Sequence, residues 1–256
     1  MTPRLVLEGV SKAFEGLLAV SDLTFSVRPH SVTALIGPNG AGKTTTFNII
    51  SGLLRPSAGR LTFGRADLTH LAPHQICRAG IGRSFQTPQI FGRMTVLQNV
   101  MVAAQVRGAV SWVAVGLRLP GGAREEGRLR EAAMAQLEFL GLAPLAHRPA
   151  GTLPLGQQRL LELARALATD PRLLLLDEPV AGLTQMEIQE LRDVLFKVRD
   201  RAITILLVEH NMRFVLRTAD HVIVLNHGQK LAEGGPAEVA RDPRVVAAYL
   251  GRAWGA

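Results

Sequence analysis

The stretch Gly37-Pro38-Asn39-Gly40-Ala41-Gly42-Lys43-Thr44 decides the fold, and it lies between a predicted strand, Ser31–Ile36, and a predicted helix, Thr45–Ser51. Glycines at this spacing let several backbone N–H groups point at one phosphate, and the start of the following helix adds positive potential. In such a loop the side chain of Lys43 reaches the outer phosphates, and the hydroxyl of Thr44 can ligate Mg²⁺. The stretch therefore predicts a site for a nucleoside triphosphate.

An apolar strand with an acidic end supplies the second half of this site. Leu173-Leu174-Leu175-Leu176 is followed directly by Asp177-Glu178-Pro179. A strand that is apolar on both faces is typical of the middle of a covered parallel sheet, so we expect it beside the strand that leads into the loop. Asp177 then lies near Mg²⁺. Glu178 lies one step closer to the γ-phosphate, where a general base can orient the attacking water.

Short apolar runs alternate with helical patterns along the chain, which predicts an α/β fold with a largely parallel central sheet. The predicted strands are Arg4–Val10, Leu23–Val27, Ser31–Ile36, Gly59–Phe63, Ile81–Phe85, Arg172–Leu176, Ala202–Val208 and His221–Leu225. Further helices are predicted at Thr95–Val106, Ala123–Leu140, Gln157–Ala168 and around Ile188–Val198, with a linker at Leu119–Gly122. We therefore expect a core formed by residues 1–86 and 161–256, with a helical insert at 87–160.

Composition excludes several classes of protein. Of the 256 residues, 47% are hydrophobic and 20% charged, which supports a buried core and excludes a disordered chain. The single cysteine, Cys77, excludes a disulfide framework. No apolar run approaches the roughly 18 residues of a membrane span, and no secretory signal opens the chain, so we expect a cytosolic protein. The net charge of +8 comes mostly from arginine. Such a charge favours binding to phosphate, nucleic acid or an anionic membrane, or it simply belongs to a solvated surface.

Four further segments carry a family resemblance. They are Leu153-Pro154-Leu155-Gly156-Gln157-Gln158-Arg159, Ser84-Phe85-Gln86, Glu209-His210-Asn211 and Ala13-Phe14-Glu15-Gly16. Together with the phosphate loop and the acidic strand, they occur in the order found in ATP-binding cassette (ABC) ATPases, and the resemblance covers essentially the whole chain. It implies a P-loop NTPase core with an N-terminal antiparallel β subdomain and an inserted α-helical subdomain that ends in the signature motif.

The resemblance also implies roles for single residues. Phe14 stacks on adenine, and ATP is held by the loop and its helix start: Gly37, Pro38, Asn39, Gly40, Ala41, Gly42, Lys43, Thr44 and Thr45. Gln86 helps Thr44 and Asp177 to hold Mg²⁺, and His210 contacts the γ-phosphate. In a head-to-tail dimer, the signature acts on the ATP of the partner through Leu153, Pro154, Leu155, Gly156 and Gln157.

Finer features resemble the larger ATP-binding subunit of branched-chain amino acid importers. These features are Phe14–Val20, Gly82–Gln86, the pair Gln157-Gln158, Glu178–Leu183 and the tail Ala247–Gly251. Importers of urea, amides or other amino acids, and exporters, carry similar cassettes and stay open as alternatives. An ABC ATPase outside transport is a more distant alternative, and nucleic acid is not an expected partner.

The resemblance implies partners that this chain does not contain. Two permease subunits would dock their coupling helices near Gln89–Val100, and an extracytoplasmic solute-binding protein would act indirectly. The chain would then lie at the cytoplasmic face of the inner membrane as a peripheral subunit. Whether it pairs with itself or with a related ATPase stays open.

The signature departs from the family pattern at two positions. Pro154 stands where a serine is usual, and Leu155 where a glycine is usual. Proline offers neither a backbone N–H nor a hydroxyl, so the contacts to the partner's ATP are either weaker or are made up by Gly156 and the helix start. Thr184 and Asn211 also replace residue types that are common after the acidic strand and after the histidine.

Overall fold

The computed structural model describes residues 5–107 and 120–253, which build two β-sheets and several helices. The strands are β1 (Leu5–Phe14), β2 (Leu17–Val27), β3 (Val32–Ile36), β4 (Ala58–Phe63), β5 (Ala66–Asp67), β6 (Ile81–Arg83), β7 (Leu173–Asp177), β8 (Thr204–Val208), β9 (His221–Asn226) and β10 (Gln229–Gly234). The helices are α1 (Lys43–Ile50), α2 (Pro73–Arg78), α3 (Val96–Ala104), α4 (Pro120–Phe139), α5 (Leu155–Ala168), α6 (Gln185–Asp200), α7 (Met212–Thr218), α8 (Pro236–Val239) and α9 (Pro243–Ala253).

The larger sheet has the strand order β10-β9-β3-β8-β7-β6, and only β10 runs antiparallel to its neighbour. Every residue of β3, β7 and β8 is buried, which explains why these strands are almost wholly apolar. Because the carboxyl ends of parallel strands share one edge, the loops that follow β3, β6, β7 and β8 meet there. The predicted α/β class with a largely parallel sheet is confirmed.

The smaller sheet is antiparallel, with the order β2-β1-β4-β5. The sequence prediction ended the first strand at Val10 and began the second at Leu23, and both boundaries were wrong. The two strands instead continue to a two-residue turn at Glu15 and Gly16, whose φ angles are 42° and 93°. Positive φ at both central residues is the geometry that joins antiparallel strands tightly, so the hairpin extends to its tip.

Helices α3, α4 and α5 pack against one another beside the larger sheet. Their buried side chains, among them Val100, Leu137 and Leu161, join one core with β3, β7 and β8. The predicted linker at Leu119–Gly122 was wrong over Pro120–Gly122, where α4 begins, because proline is tolerated in the first turn of a helix. Leu119 lies outside the described residues.

The predicted end of the insert, residue 160, falls inside α5. The predicted boundary at residue 160 therefore would divide this helix between the two proposed parts. Within the described ranges, none of the helices combines the length and apolar content that a membrane crossing requires.

Candidate functional site

Residues 37–42, the phosphate loop, connect β3 to α1 and are closely surrounded by other strands. A Cβ atom at Gly37 would lie 2.2 Å from the carbonyl oxygen of Leu225. At Gly42, where φ is 96°, it would lie 2.7 Å from the carbonyl oxygen of Ala19. Side chains are thus excluded at both ends of the loop, and the backbone can curl as the sequence predicted.

Lys43 begins α1 and turns its side chain back into the phosphate loop. Its Nζ donates hydrogen bonds to the carbonyl oxygens of Gly37 (2.8 Å) and Pro38 (2.9 Å). Burial lowers the pKa of Lys43, whereas the nearby carboxylates of Glu178 and Asp177 raise it. The ammonium group is therefore placed inside the loop, where it can exchange carbonyl contacts for phosphate oxygens. Thr44 is exposed and Thr45 half-buried in the same first turn.

Asp177 ends β7 as a buried carboxylate, and burial raises its pKa. The guanidinium of Arg83 opposes this rise, because its Nη2 lies 3.2 Å from Oδ2 of Asp177. Nη1 of Arg83 also donates to Oδ1 of Asn48 (2.8 Å) and to Oγ of Ser51 (2.6 Å). Arg83 thus ties the acidic strand end to α1. Sequence reasoning gave Arg83 no role, although an arginine at the end of a buried strand requires a partner.

Glu178 contacts two other predicted site residues, Gln86 and His210, at the same edge of the sheet. Nε2 of Gln86 donates to Oε2 of Glu178 at 2.8 Å, and Nδ1 of His210 lies 3.6 Å from Oε1. The backbone of Glu178 is left-handed, with φ at 47°, and its N–H donates to the carbonyl oxygen of Val208 (3.0 Å). Such backbone strain in a residue other than glycine is concentrated at functional sites.

Glu209 is a further residue that sequence reasoning missed. It follows β8 with 0% exposure, and its carboxylate accepts hydrogen bonds from the backbone N–H groups of Val180, His210 and Asn211. Burial raises the pKa of Glu209, and these hydrogen bonds lower it. A glutamate directly after an apolar strand was the signal that could have identified it.

The donor atoms at this edge fit Mg²⁺. Arg83 engages Oδ2 of Asp177 and leaves Oδ1 for a cation. Gln86 uses its amide nitrogen on Glu178 and keeps its carbonyl oxygen, while the hydroxyl of Thr44 is exposed. Oxygen ligands with few carboxylates are what Mg²⁺ prefers when phosphates supply the remaining contacts.

Phe14 lies at the tip of the β1–β2 hairpin, with 41% of its surface exposed. Nζ of Lys12 lies 5.1 Å from the centroid of its ring. An exposed aromatic ring beside a cation suits a purine base with a phosphate chain. The hairpin also reaches the phosphate loop, since Ala19 of β2 packs against Gly42.

The signature segment lies at the start of α5. Pro154 is the N-cap residue, with φ at −58° and ψ at 158°, Leu153 is buried and Leu155 is 41% exposed. Gly156 is buried against Glu187, and Gln157 is half-buried. Among the hydrogen bonds of the described residues, none joins this segment to Lys43, Asp177 or Glu178. The structure therefore brings Gln86, Lys43, Asp177, Glu178 and His210 together, whereas the signature has no hydrogen bond to Lys43, Asp177 or Glu178 among the described residues.

Thr184 and Asn211, the two other departures from the family pattern, both cap helices. Oδ1 of Asn211 accepts from the N–H of Phe214 (3.1 Å) at the start of α7. Thr184 and Glu187 form reciprocal hydrogen bonds at the start of α6, including one of 2.8 Å from the N–H of Thr184 to Oε2 of Glu187. These positions thus have a local structural reason for their residue types.

Comparison with known proteins gives two family matches. The family model described as "ABC transporter" matches residues 20–181. A second model, described as "Branched-chain amino acid ATP-binding cassette transporter", matches residues 229–254. The first match includes the phosphate loop, Gln86, the signature and Glu178, and the second covers β10, α8 and α9.

Curated relatives match nearly the full chain. The "High-affinity branched-chain amino acid transport ATP-binding protein BraF" of Pseudomonas aeruginosa is 40% identical over 252 residues, or 98% of this chain and 99% of the relative. The corresponding protein LivG of Escherichia coli K12 is 39% identical with the same coverage. A probable LivG of Methanocaldococcus jannaschii is 36% identical over 250 residues, or 95% and 96% of the two chains.

Solved structures also match nearly the full chain. The ADP conformation of MJ1267, an ATP-binding cassette of an ABC transporter, has a TM-score of 0.86 and 36% identity, covering 98% of this chain and 100% of that one. A nucleotide-free ATP-binding cassette from an ABC transporter has a TM-score of 0.85 and 35% identity, covering 97% and 99%.

Proposed function

This chain belongs to the ABC transporter family of ATP-binding proteins and is an ATPase, and we propose that it powers the import of branched-chain amino acids through separate membrane permeases. The observation that carries the ATPase mechanism is the convergence of Gln86 and His210 on Glu178, beside Lys43 and Asp177. The names of the relatives and the match at residues 229–254 support the substrate class.

In this mechanism the chain positions ATP and stabilises charge, because phosphoryl transfer demands little covalent chemistry from the protein. The N–H groups of the phosphate loop and Nζ of Lys43 hold the β- and γ-phosphates. Thr44, Asp177 and Gln86 would hold Mg²⁺, which would supply positive charge to the phosphate oxygens. Glu178 accepts the proton of the attacking water, and His210 contacts the γ-phosphate.

A groove between α3 and the core is the proposed docking site for a permease helix. Its volume is about 370 Å³, and its apolar lining includes Leu53, Ile76, Phe85, Val102 and Val106. Several lining side chains are partly exposed, Leu53 at 50% and Phe85 at 40%, which supports an apolar helical occupant. The groove also contains Gln89, at one end of the predicted coupling segment.

The groove is linked to the ATP site through residues 84–91, the Gln86 loop. Oε1 of Glu162 on α5 accepts from the N–H of Phe85 (2.8 Å), and Arg165 donates to the carbonyl oxygen of Gln89. Between these two points lies Gln86, which contacts Glu178. A permease helix that moves this loop would therefore move a contact of the proposed base.

The remaining partners follow from this role. Two cassettes pair head to tail, so that residues 153–157 of this chain meet the ATP of the partner cassette. The chain lies at the cytoplasmic face of the inner membrane, and a solute-binding protein on the other side delivers the amino acid. Its arginine-rich surface suits the anionic inner leaflet.

The test is to purify this chain with its co-expressed permeases, second cassette and binding protein, and to measure ATP hydrolysis in liposomes. We expect stimulation when the binding protein is loaded with leucine, isoleucine or valine. Urea, acetamide and glutamate, tested in the same assay, represent the alternative substrates. Stimulation by one of these instead, or co-purification of nucleic acid without a permease, would contradict the proposal.

A further inference from the structure

Glu209 is a fully buried carboxylate at the edge of the sheet where the ATP site lies. Its Oε1 accepts from the N–H of Val180 at 3.1 Å. Its Oε2 accepts from the N–H of His210 at 3.1 Å and from that of Asn211 at 3.3 Å. The negative charge is thus balanced by three backbone donors, which is how buried carboxylates are stabilised.

These donors come from two different loops. Val180 lies two residues after Glu178, in the loop that follows β7, whereas His210 and Asn211 lie in the loop that follows β8. The same two loops are joined by the hydrogen bond from the N–H of Glu178 to the carbonyl oxygen of Val208 (3.0 Å). Glu209 therefore connects the backbone around Glu178 to the backbone of His210 from inside the protein.

The connection matters because Glu178 and His210 lie on these two loops. Nδ1 of His210 lies 3.6 Å from Oε1 of Glu178, and the His210 side chain is 61% exposed. An exposed imidazole is not held in place by packing. Its position therefore depends on the backbone of His210, which Glu209 binds from the buried side. Misplacement of a reacting group by about 1 Å is enough to cost on the order of a hundredfold in rate.

We propose that Glu209 is a positioning residue, which sets the placement of His210 relative to Glu178 for hydrolysis of the γ-phosphate. It does not touch the nucleotide. Because the phosphate loop lies on a different connection, after β3, loss of Glu209 should affect the rate constant and leave ATP binding intact. The inference rests on the proposed roles of Glu178 and His210.

The test is Glu209→Gln in the assembled transporter. A carboxamide keeps the size but has one acceptor oxygen, and its NH₂ group faces a backbone N–H, so one loop loses its contact. We expect kcat to fall about tenfold or more, with the KM for ATP and nucleotide binding within about twofold of wild type. Glu138→Gln, the same change on the exposed face of α4, is the matched control and should leave both constants unchanged.

Other results are equally decisive. A folded Glu209→Gln protein with normal kcat, even with a lowered melting temperature, would overturn the inference, as would weaker ATP binding at an unchanged kcat. If Glu209→Gln does not fold, Glu209→Asp keeps the charge but is one methylene shorter, and the same split between kcat and KM is expected. Normal kcat in that variant would overturn the inference too.

A parallel Glu178→Gln variant separates a failure of the role of Glu209 from a failure of the proposed role of Glu178. If Glu178→Gln hydrolyses ATP normally, the proposed role of Glu178 fails, and the inference on Glu209 fails with it. If Glu178→Gln is inactive while folded Glu209→Gln and Glu209→Asp are both normal, the inference on Glu209 alone is overturned.

Discussion

In the proposed site, the carboxylate of Asp177 binds both Arg83 and Mg²⁺. Arg83 donates to its Oδ2, and in the proposed mechanism Mg²⁺ would use Oδ1. Arg83 and Asp177 are both buried, with 9% of each side chain exposed, so neither charge can be left without its partner at low cost. The buried ion pair between Arg83 and Asp177 therefore contributes to the stability of the fold as well as to the proposed Mg²⁺ site.

This pairing predicts that substitution of Arg83 destabilises the protein much more than substitution of Arg60. Arg83→Ala should lower the free energy of unfolding by about 3–5 kcal/mol, because it leaves a buried carboxylate uncompensated. Arg60→Ala removes an ion pair whose side chains are 61% and 48% exposed, and should cost less than about 1 kcal/mol. Urea unfolding of both variants measures this. Equal losses would mean that the Arg83 pair is solvated in solution.

The prediction for Phe14 concerns the binding of ATP and not its hydrolysis. Stacking on adenine should be similar in the ground state and in the transition state, so Phe14→Ala should raise the KM for ATP with little change in kcat. Aromatic stacking contributes about 1 kcal/mol, which corresponds to a several-fold change. Steady-state kinetics of the assembled transporter provide the check. An unchanged KM would show that ATP does not contact this ring.

At the scale of elements, the sequence predicted what is decided locally. The phosphate loop, α1 and the acidic end of β7 follow from glycine spacing, helix starts and apolar runs. The contacts of Arg83 and Glu209 do not follow in this way, because they join β6 to β7 and β8 to the loop after β7 across the sheet. The full length of the β1–β2 hairpin was missed for a similar reason, since strand pairing extended it beyond its apolar pattern.

Helix α5 carries the signature at its first turn, and Pro154 makes this turn testable. The ψ of Pro154, 158°, already suits an N-cap residue, so serine fits there without moving the backbone. Pro154→Ser would restore a hydroxyl and a backbone N–H toward the partner's phosphate, and hydrogen bonds to charged groups contribute about 1.5–3 kcal/mol.

We therefore expect Pro154→Ser to raise the turnover of the assembled transporter several-fold, without changing ATP binding by the isolated chain. Turnover and melting temperature should be measured together, because a better N-cap also stabilises the helix by about 1 kcal/mol. If stability rises while turnover stays the same, Gly156 and the helix start already supply all the donors that the partner site uses.

For the whole molecule, the proposed head-to-tail pairing means that each cassette would contribute to two ATP sites. Under the proposed function, Lys43, Asp177 and Glu178 would act on the ATP bound to this chain, and residues 153–157 would act on the ATP of the other cassette. If the second cassette is a different protein with a regular signature, the site built on this phosphate loop is the stronger one. Inactivating that site should then cost more turnover than inactivating its counterpart.

The most direct test of the central claim is ATP-driven uptake of radiolabelled leucine into liposomes that contain the assembled transporter. We expect Glu178→Gln to bind ATP as wild type does and to lose about a hundredfold or more in both hydrolysis and uptake, since it keeps the shape but removes the base. Lys43→Ala should lose ATP binding itself, and Glu138→Gln should behave as wild type. Leucine uptake at the wild-type rate by Glu178→Gln would contradict the claim that this chain drives import through hydrolysis at Glu178.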